Sequence, residues 1–337
     1  MHVERRVVEA EIIWAGMRRL VEGFRAGGLQ PGERIVVALQ PGPTMLAAIG
    51  AAMWEDLTIV PAAPDDAVAT AQMADASMVL VADGDASCEG ALHLVWDDPL
   101  GGPDPANAAA WRAARIPAKQ PPTPAARLVV PASGGEGAVA LSDDNLLVVL
   151  EALGATLDIA GRRWLSTLAW HTAEGIALEV LPALLLLGEL VRPSGTPGEA
   201  ERWADAVAGE LARTEPVGLV ATVPMLRTLI ERSGIGALAN LDDGLVIGPG
   251  VDEALAAHLA TTRLRASRGA AELSGLVTVG ERGTWRAGLA GRAMTCVATS
   301  DGAGGLNISG RALALGTFDE GRLVVLDPRR SVAARFI

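Results

Sequence analysis

The chain has 337 residues, about half of them hydrophobic, and a formal net charge of −12 at pH 7. This length suffices for a large core and two or three subdomains, and the acidic balance argues against a nucleic-acid partner or an anionic membrane. The two cysteines, Cys88 and Cys296, have neither metal-site nor disulfide-framework spacing. The N-terminal segment has an amphipathic pattern unlike a signal peptide, and the longest apolar run, 180–187, is too short to span a bilayer. We therefore expect a soluble, cytoplasmic protein.

The predicted elements of the first part alternate between helix and strand. In chain order they are a helix over 7–24, a strand over 35–39, a helix over 45–54, a strand over 58–60 and a helix followed by a strand within 73–81. This alternation predicts an α/β sheet with helices on its faces. A segment rich in Pro, Gly, Ala and Asp follows over 97–124; it is interpreted as a surface connection and contains Lys119, the single lysine.

A loop of small residues and glycines lies between two apolar segments in the middle of the chain. The apolar run 127–130 predicts a buried strand, and the loop is Ala132-Ser133-Gly134-Gly135-Glu136-Gly137. After the second apolar segment, the cluster Ser142-Asp143-Asp144-Asn145 predicts a helix that begins at Leu146. A strand, a glycine loop and a helix start can hold phosphate, because exposed backbone N–H groups can point at an anion. A simple glycine turn between strand and helix is the alternative.

The loop resembles a family motif. It is similar to the phosphate loop of the adenylate-forming (ANL) superfamily of acyl-CoA synthetases, adenylation domains and luciferases, roughly T-S-G-T-T-G-x-P-K-G-V-x-L-[ST]-H-x-N-L, in Ser133-Gly134, Gly137, Leu141-Ser142 and Asn145-Leu146. The resemblance implies a nucleotide-binding loop in a degenerate form. The two phosphate-contacting threonines are replaced by Gly135 and Glu136, and the Pro-Lys step is missing. Because a carboxylate repels a triphosphate, we expect weak or undetectable binding of ATP.

The elements of the second half also follow the order of this family. They are a helix over 146–157, a strand over 164–168, a helix over 176–187, a strand over 189–192, a helix over 199–213, a strand over 218–221, a helix from 222, a strand and glycine turn over 245–250 and a helix over 252–259. The resemblance implies that Trp170, His171, Gly248 and Gly250 line an acyl pocket. A lone histidine at a strand end is otherwise a capping or packing residue. Because ligand sites in open α/β sheets gather at the C-terminal ends of strands, we expect His171 and the segments 246–250 and 266–272 to line one cleft.

Two further family motifs are present in altered form. Arg268-Gly269-Ala270-Ala271-Glu272 lies where the family has Y-G-x-T-E, so the resemblance implies a nucleotide-side position for Arg268 and a magnesium ligand at Glu272. The stacking aromatic and the phosphate-binding threonine of that motif are absent. Asp327 aligns with an aspartate that binds ribose hydroxyls in the family. The alternatives are that Glu272 is an ordinary surface or structural carboxylate and that Asp327 is a turn cap before Pro328.

The expected fold is α/β and resembles the N-terminal part of the family. We expect a first α/β subdomain over 1–120, a second over 125–280 that contains the degenerate phosphate loop, and a β-rich subdomain over 283–337, with mixed sheets in the two α/β parts. Full-length family members continue into a C-terminal domain with a catalytic lysine, which we expect to be absent here.

Three interpretations of function remain open at this point. The first is a degenerate homologue that binds an acyl group, an acyl-adenylate or a carrier-bound acyl chain. The second is an ATP-dependent acyl-acid ligase whose C-terminal domain is supplied in trans, and the third is a structural subunit. The resemblance implies a small acyl or aryl carboxylic acid or its thioester as ligand, with a carrier or partner protein as a further partner. Mg²⁺ and ATP or AMP are implied as cofactors only if the altered site is active.

Overall fold

The structure is a computed structural model that describes residues 8–83, 90–95, 97–133, 137–193, 200–213, 217–287, 291–294, 298–302, 305–319, 322–325 and 332–334. Two compact units divide the chain. The first comprises Met1–Asp143, Trp170–Thr172 and Ala314–Asp327, and the second comprises Asp144–Ala169, Ala173–Leu313 and Pro328–Ile337.

Helices and strands alternate along most of the chain. The helices are α1 (Ala10–Gly27), α2 (Pro43–Trp54), α3 (Ala67–Ala74), α4 (Ala108–Ala113), α5 (Asp143–Thr156), α6 (Ala173–Gly175), α7 (Leu181–Leu185), α8 (Ala200–Leu211), α9 (Val223–Ser233) and α10 (Glu253–Leu259). The strands are β1 (Arg34–Ala38), β2 (Thr58–Pro61), β3 (Met78–Ala82), β4 (Leu92–Leu94), β5 (Leu128–Pro131), β6 (Ala138–Leu141), β7 (Arg163–Leu165), β8 (Glu189–Val191), β9 (Val217–Thr222), β10 (Leu241–Ile247), β11 (Leu264–Arg268), β12 (Thr278–Val279), β13 (Arg292–Ala293), β14 (Ala298–Gly302), β15 (Gly305–Ser309), β16 (Gly316–Asp319), β17 (Arg322–Val325) and β18 (Val332–Ala334).

The first unit is built on a mixed sheet, sheet A, with the strand order β17-β16-β6-β5-β2-β1-β3-β4. The strands from β5 to β4 are parallel neighbours, and β5, β6, β16 and β17 pair antiparallel. Strand β1 is buried along its whole length, as expected for a parallel strand covered on both faces. Helix α1 buries Met17, Leu20 and Phe24 and is capped at its C-terminal end by Gly28, whose φ of 78° is the left-handed conformation that favours glycine.

The second unit is built on sheet B, with the strand order β13-β12-β11-β10-β9-β7-β8. The strands from β8 to β11 are parallel, and β12 and β13 are added antiparallel at one edge. Two separate hydrophobic clusters include residues of this sheet, one containing Val220 and Leu245 and the other Leu219 and Val246. Alternate residues of β9 and β10 thus contribute to different cores. A small antiparallel sheet, sheet C, pairs β14, β15 and β18.

The predicted α/β class with mixed sheets is confirmed. The division into 1–120, 125–280 and 283–337 stays a prediction. The two compact units have other bounds, and each is made of several segments of the chain. Strands β5 and β6 belong to sheet A, and the segment predicted to be β-rich supplies strands to all three sheets. Over the part of the chain that the structure describes, no helix combines the length and the apolar character needed to cross a membrane.

Candidate functional site

Three neighbouring parallel strands of sheet B end at the same edge. Ile247 of β10 is in register with Thr222 at the end of β9 and with Ser267 near the end of β11. The residues that follow, Gly248 and Arg268, therefore lie side by side where the strands end. Ligand sites of open α/β sheets lie outside the C-terminal ends of their strands, so this edge is the candidate site of the second unit.

A glycine turn follows β10 at this edge. Gly248 and Gly250 have φ values of 100° and 95°, a backbone region that residues with a Cβ rarely adopt. Arg227 fixes the turn from outside by donating to the Gly250 carbonyl and to the Asp252 carboxylate, both at 2.8 Å. Asp252 also accepts from the Leu255 N–H at 2.8 Å and so caps α10. Hydrogen bonds thus fix the conformation of the Gly248–Gly250 turn.

Arg268 brings a buried cation to the same edge. Its side chain lies where β11 ends, and the residue is only 9% exposed. Nη1 donates to the carbonyl oxygen of Gly248 and, at 3.3 Å, to that of Ser267. Burial lowers the pKa of Arg268, but a guanidinium stays charged at neutral pH. Among the described residues no carboxylate forms an ion pair with Arg268, and its Nε and Nη2 groups donate to none of them.

The segment after Arg268 forms a tight loop because of its glycines. A Cβ on Gly269 would lie 2.0 Å from the Gly275 carbonyl oxygen, so only glycine fits there. The loop is closed by Gly275 N–H donating to the Ala270 carbonyl at 2.9 Å. Glu272 is half-buried in a 3-10 turn, Ala271–Leu273, within this loop. No group of three or more His, Cys, Asp or Glu residues within the described ranges is placed to hold a metal, and the magnesium role of Glu272 stays a prediction.

Trp170 and His171 belong to the first unit, whereas Gly248, Gly250, Arg268 and Glu272 belong to the second. Trp170 is 1% exposed and is a core residue, so substrate contact by its indole stays a prediction. Burial lowers the pKa of His171, and the negative charge of Asp66 offsets only part of this effect. The imidazole is therefore neutral at pH 7, as a packing residue or a hydrogen-bonding group would be. That His171 shares a cleft with the strand ends of sheet B also stays a prediction.

Glu179 is a residue whose importance the sequence did not reveal. It is fully buried in a π-helical turn, Ile176–Val180, between α6 and α7. Its carboxylate accepts hydrogen bonds from the Ser166 hydroxyl at 2.6 Å, the Thr167 N–H at 2.6 Å and the Leu168 N–H at 2.9 Å. Glu179 thus fixes the segment that leaves β7. The sequence signal that could have indicated this role is that Glu179 is the single charged residue in the apolar helical run 176–187.

The glycine loop 132–137 closes an antiparallel hairpin between β5 and β6. Pro131 is in register with Ala138, and the Ala132 N–H donates to the Gly137 carbonyl at 3.1 Å. Along the chain, strand β6 lies between the loop and the start of α5, and the phosphate-binding role of the loop stays a prediction. Ser133 and Gly137 are described at the two sides of the loop, Gly137 with a φ of 75°. Gly134, Glu136 and Asp327 lie outside the described residues, and their nucleotide-side roles stay predictions.

The fold is shared with solved structures of other proteins. The chain superposes on an ATP-bound RpMatB-BxBclM chimera with a TM-score of 0.72 at 17% identity, covering 92% of this chain and 65% of the chimera. For MenE from E. coli with a bound analogue of OSB-AMS, the TM-score is 0.70 at 16% identity, with 97% and 69% covered. For the N-terminal domain of FACL13 from Mycobacterium tuberculosis, it is 0.68 at 15% identity, with 91% and 83% covered.

At these identities the likeness shows the fold. The predicted resemblance to the N-terminal part of adenylate-forming enzymes is confirmed at that level. The chain spans about two thirds of the length of the chimera and of MenE. No protein-family model and no curated protein matches the sequence.

Proposed function

We propose that the chain binds a small carboxylic acid, or an acyl group derived from one, at the edge of sheet B where β9, β10 and β11 end. In this proposal Arg268 holds the anionic group of the ligand, which is the carboxylate of a free acid or the phosphate of an acyl-adenylate. The fold supports the ligand class, because a solved protein of the same fold carries an analogue of OSB-AMS. The observation that carries the proposal is the buried guanidinium of Arg268.

The donor pattern of Arg268 matches an anionic ligand. Its hydrogen bonds to Gly248 and Ser267 come from Nη1, so the Nε and Nη2 groups remain for a bidentate contact with two oxygens of a carboxylate or phosphate. Burial of a cation without a countercharge is costly, and an anion bound at this edge offsets that cost. The Gly248–Gly250 turn exposes backbone beside it, since no atom lies within 4 Å of where a Cβ on Gly248 would be.

The proposal is tested by calorimetric titration with a panel of small aliphatic and aryl carboxylates and with AMP. Hydrogen bonds to charged groups contribute about 1.5–3 kcal/mol, so we expect Arg268→Gln to weaken binding roughly ten- to a hundred-fold. Arg263→Gln is the matched control, because Arg263 is an exposed residue immediately before β11 and pairs with Asp242 at 2.9 Å. If Arg268→Gln binds the panel as the unmodified chain does, or if the unmodified chain binds no ligand of the panel, the proposal is wrong.

A second candidate is an ATP-dependent acid–thiol ligase that works with a C-terminal domain in trans. It is supported by the ATP-bound state of a protein with the same fold. Against it stand the missing lysine and threonines of the phosphate loop, since each lost electrostatic contact typically reduces the rate by a factor of about 10²–10³. Titration with magnesium-ATP separates the two: we expect weak or undetectable binding, and micromolar binding would make the ligase the leading interpretation.

A further inference from the structure

Two exposed tryptophans meet on the outer surface of the first unit. Trp14 on α1 is 44% exposed and Trp54 at the end of α2 is 60% exposed. Their rings contact edge to face, with centroids 6.4 Å apart and an interplanar angle of 80°. Other tryptophans of the chain are buried in its cores: Trp111, Trp164, Trp170 and Trp203. A pair of indoles left together in solvent is typical of a protein-binding surface, where tryptophan is a frequent anchor.

Oppositely charged residues flank Trp14 along α1. Glu11, Ala15 and Arg18 recur at a helical spacing of four and three residues, and Glu11 and Arg18 are exposed. The two charges are about 10 Å apart along the axis at 1.5 Å per residue, too far to pair with each other. Within the described part of the chain, neither forms an ion pair. We call the surface made by Glu11, Trp14, Ala15, Arg18 and Trp54 the tryptophan face.

We propose that the tryptophan face binds a second copy of this chain, with α1 packed antiparallel against the α1 of that copy about a two-fold axis. An axis between Trp14 and Ala15 places Glu11 opposite Arg18 of the second copy, and Arg18 opposite its Glu11. The same axis places the indole of Trp14 over the small side chain of Ala15, which leaves room for the close approach of two helices. Such a contact is isologous, the commonest arrangement of soluble dimers.

The charge order selects this occupant over others. A uniformly acidic partner would meet Glu11 with like charge, and a uniformly basic one would meet Arg18 with like charge. A partner must instead present the two charges in the reverse order along one line, beside an apolar surface. An antiparallel copy of α1 presents that order without any further requirement. The net charge of −12 repels two copies at long range, and this repulsion favours no particular alignment of the two helices. The two Glu–Arg contacts therefore set the register.

The proposal is tested with the whole chain by sedimentation velocity over a wide range of concentration. We expect a monomer–dimer equilibrium. Glu11→Arg alone and Arg18→Glu alone each convert both charge contacts from attraction to repulsion, and each is expected to weaken dimerisation roughly ten-fold or more. Mixing the two variants restores dimers, because a mixed dimer pairs opposite charges at both contacts. Arg112→Glu, an exposed charge reversal on α4 of the same unit, is the control that leaves the equilibrium unchanged.

Three results would overturn the proposal. The unmodified chain could remain monomeric at every concentration, which would assign the tryptophan face to a different partner. The two single variants could dimerise as the unmodified chain does, or their mixture could fail to associate although circular dichroism shows both to be folded. Trp54→Ser provides an independent test, because losing an exposed indole from the interface is expected to weaken dimerisation without lowering the melting temperature of the monomer.

Discussion

A buried ion pair shows what one residue does for the fold of the first unit. Arg34 at the start of β1 is almost fully buried and donates to the Asp75 carboxylate at 3.1 Å and to the carbonyls of Gln120 and Pro121 at 3.1 and 2.9 Å. Asp75 in turn accepts from the backbone N–H groups of Lys119 and Gln120. Arg34 and Asp75 together attach the proline-rich connection to the sheet, so this connection is an ordered part of the fold.

This pair predicts a loss of stability in acid. Burial raises the pKa of Asp75, but the N–H groups of Lys119 and Gln120 and the charge of Arg34 lower it more, so it lies below its usual value. A depressed pKa in the folded state stabilises the protein above the unfolded pKa of about 3.9 and ceases to do so as the pH falls through the folded value. We expect Asp75→Asn to lower the free energy of unfolding by about 3 kcal/mol at neutral pH.

The same substitution should flatten the pH dependence below about pH 4, since the variant has no carboxylate to protonate there. Melting temperatures measured from neutral to acid pH check this expectation. Asp65→Asn, at an exposed residue of the same region, is the control and should leave the profile unchanged. A variant that loses stability in acid as steeply as the unmodified chain would contradict the assignment.

At the scale of the element, the pairing of β7 with β9 depends on a glycine opposite a tryptophan. Trp164 is in register with Gly218, and a Cβ on Gly218 would lie 1.9 Å from the indole carbon Cε3. The indole is buried, and its Nε1 group has no hydrogen-bond partner among the described residues. The ring therefore occupies the space that a side chain on β9 would otherwise fill.

We expect Gly218→Ala to destabilise the chain by about 1–3 kcal/mol, because the added methyl overpacks a buried contact. Combined with Trp164→Leu, the same change should cost less than it does alone, since the two sites are in direct contact. Gly209→Ala is the matched control: Gly209 lies in α8 with no atom within 4 Å of the added Cβ, so alanine should stabilise by about 0.5–1 kcal/mol. Urea unfolding measures the free energy of unfolding of Gly218→Ala, Trp164→Leu, the double variant and Gly209→Ala. Strictly additive effects at positions 164 and 218 would refute the contact.

Elements marked by a continuous apolar run were predictable, and those set by distant contacts were not. The strand predicted over 35–39 is Arg34–Ala38, and the helix predicted over 45–54 begins at Pro43. A continuous apolar run marks each of them, and a proline starts the helix. The strand predicted over 164–168 instead ends at Leu165. The Ser166 hydroxyl and the backbone N–H groups of Thr167 and Leu168 donate to the carboxylate of Glu179. No local sequence pattern predicts that contact.

The candidate site was predictable to the same extent. The sequence indicated that the glycine turn and the segment 266–272 each follow an apolar strand; that β10 and β11 are neighbours is a finding of the structure. The hydrogen bond from Arg268 to Gly248 depends on a side-chain conformation that the sequence does not encode locally. The burial of Trp170 could likewise not be predicted from the sequence, because the packing of the whole unit decides how exposed an aromatic residue is.

At the scale of the molecule, sheet A is completed from far along the chain. Strand β16 pairs with β6 from Gly316 opposite Ala140 to Phe318 opposite Ala138, and β17 pairs with β16. Phe318 is buried in a cluster with Val129, Ala138 and Ala140. Antiparallel pairing between segments so distant in sequence leaves no local signal, which is why the segment 283–337 was predicted to be a separate β-rich part.

This arrangement predicts that the first unit cannot form fully from the first half of the chain. A chain that ends at Leu313 lacks β16 and β17, leaves the edge of β6 unpaired and removes the aromatic ring of Phe318 from the core. Loss of a buried phenylalanine side chain alone costs about 3–5 kcal/mol, and an unpaired apolar edge promotes aggregation. We expect a large fall in melting temperature and faster hydrogen exchange of the β6 amides. A chain that ends at Val325 is the matched control, because it also lacks β18 but keeps sheet A complete. If the two shortened chains have the same melting temperature and the same hydrogen-exchange protection of the β6 amides, β16 and β17 do not stabilise sheet A.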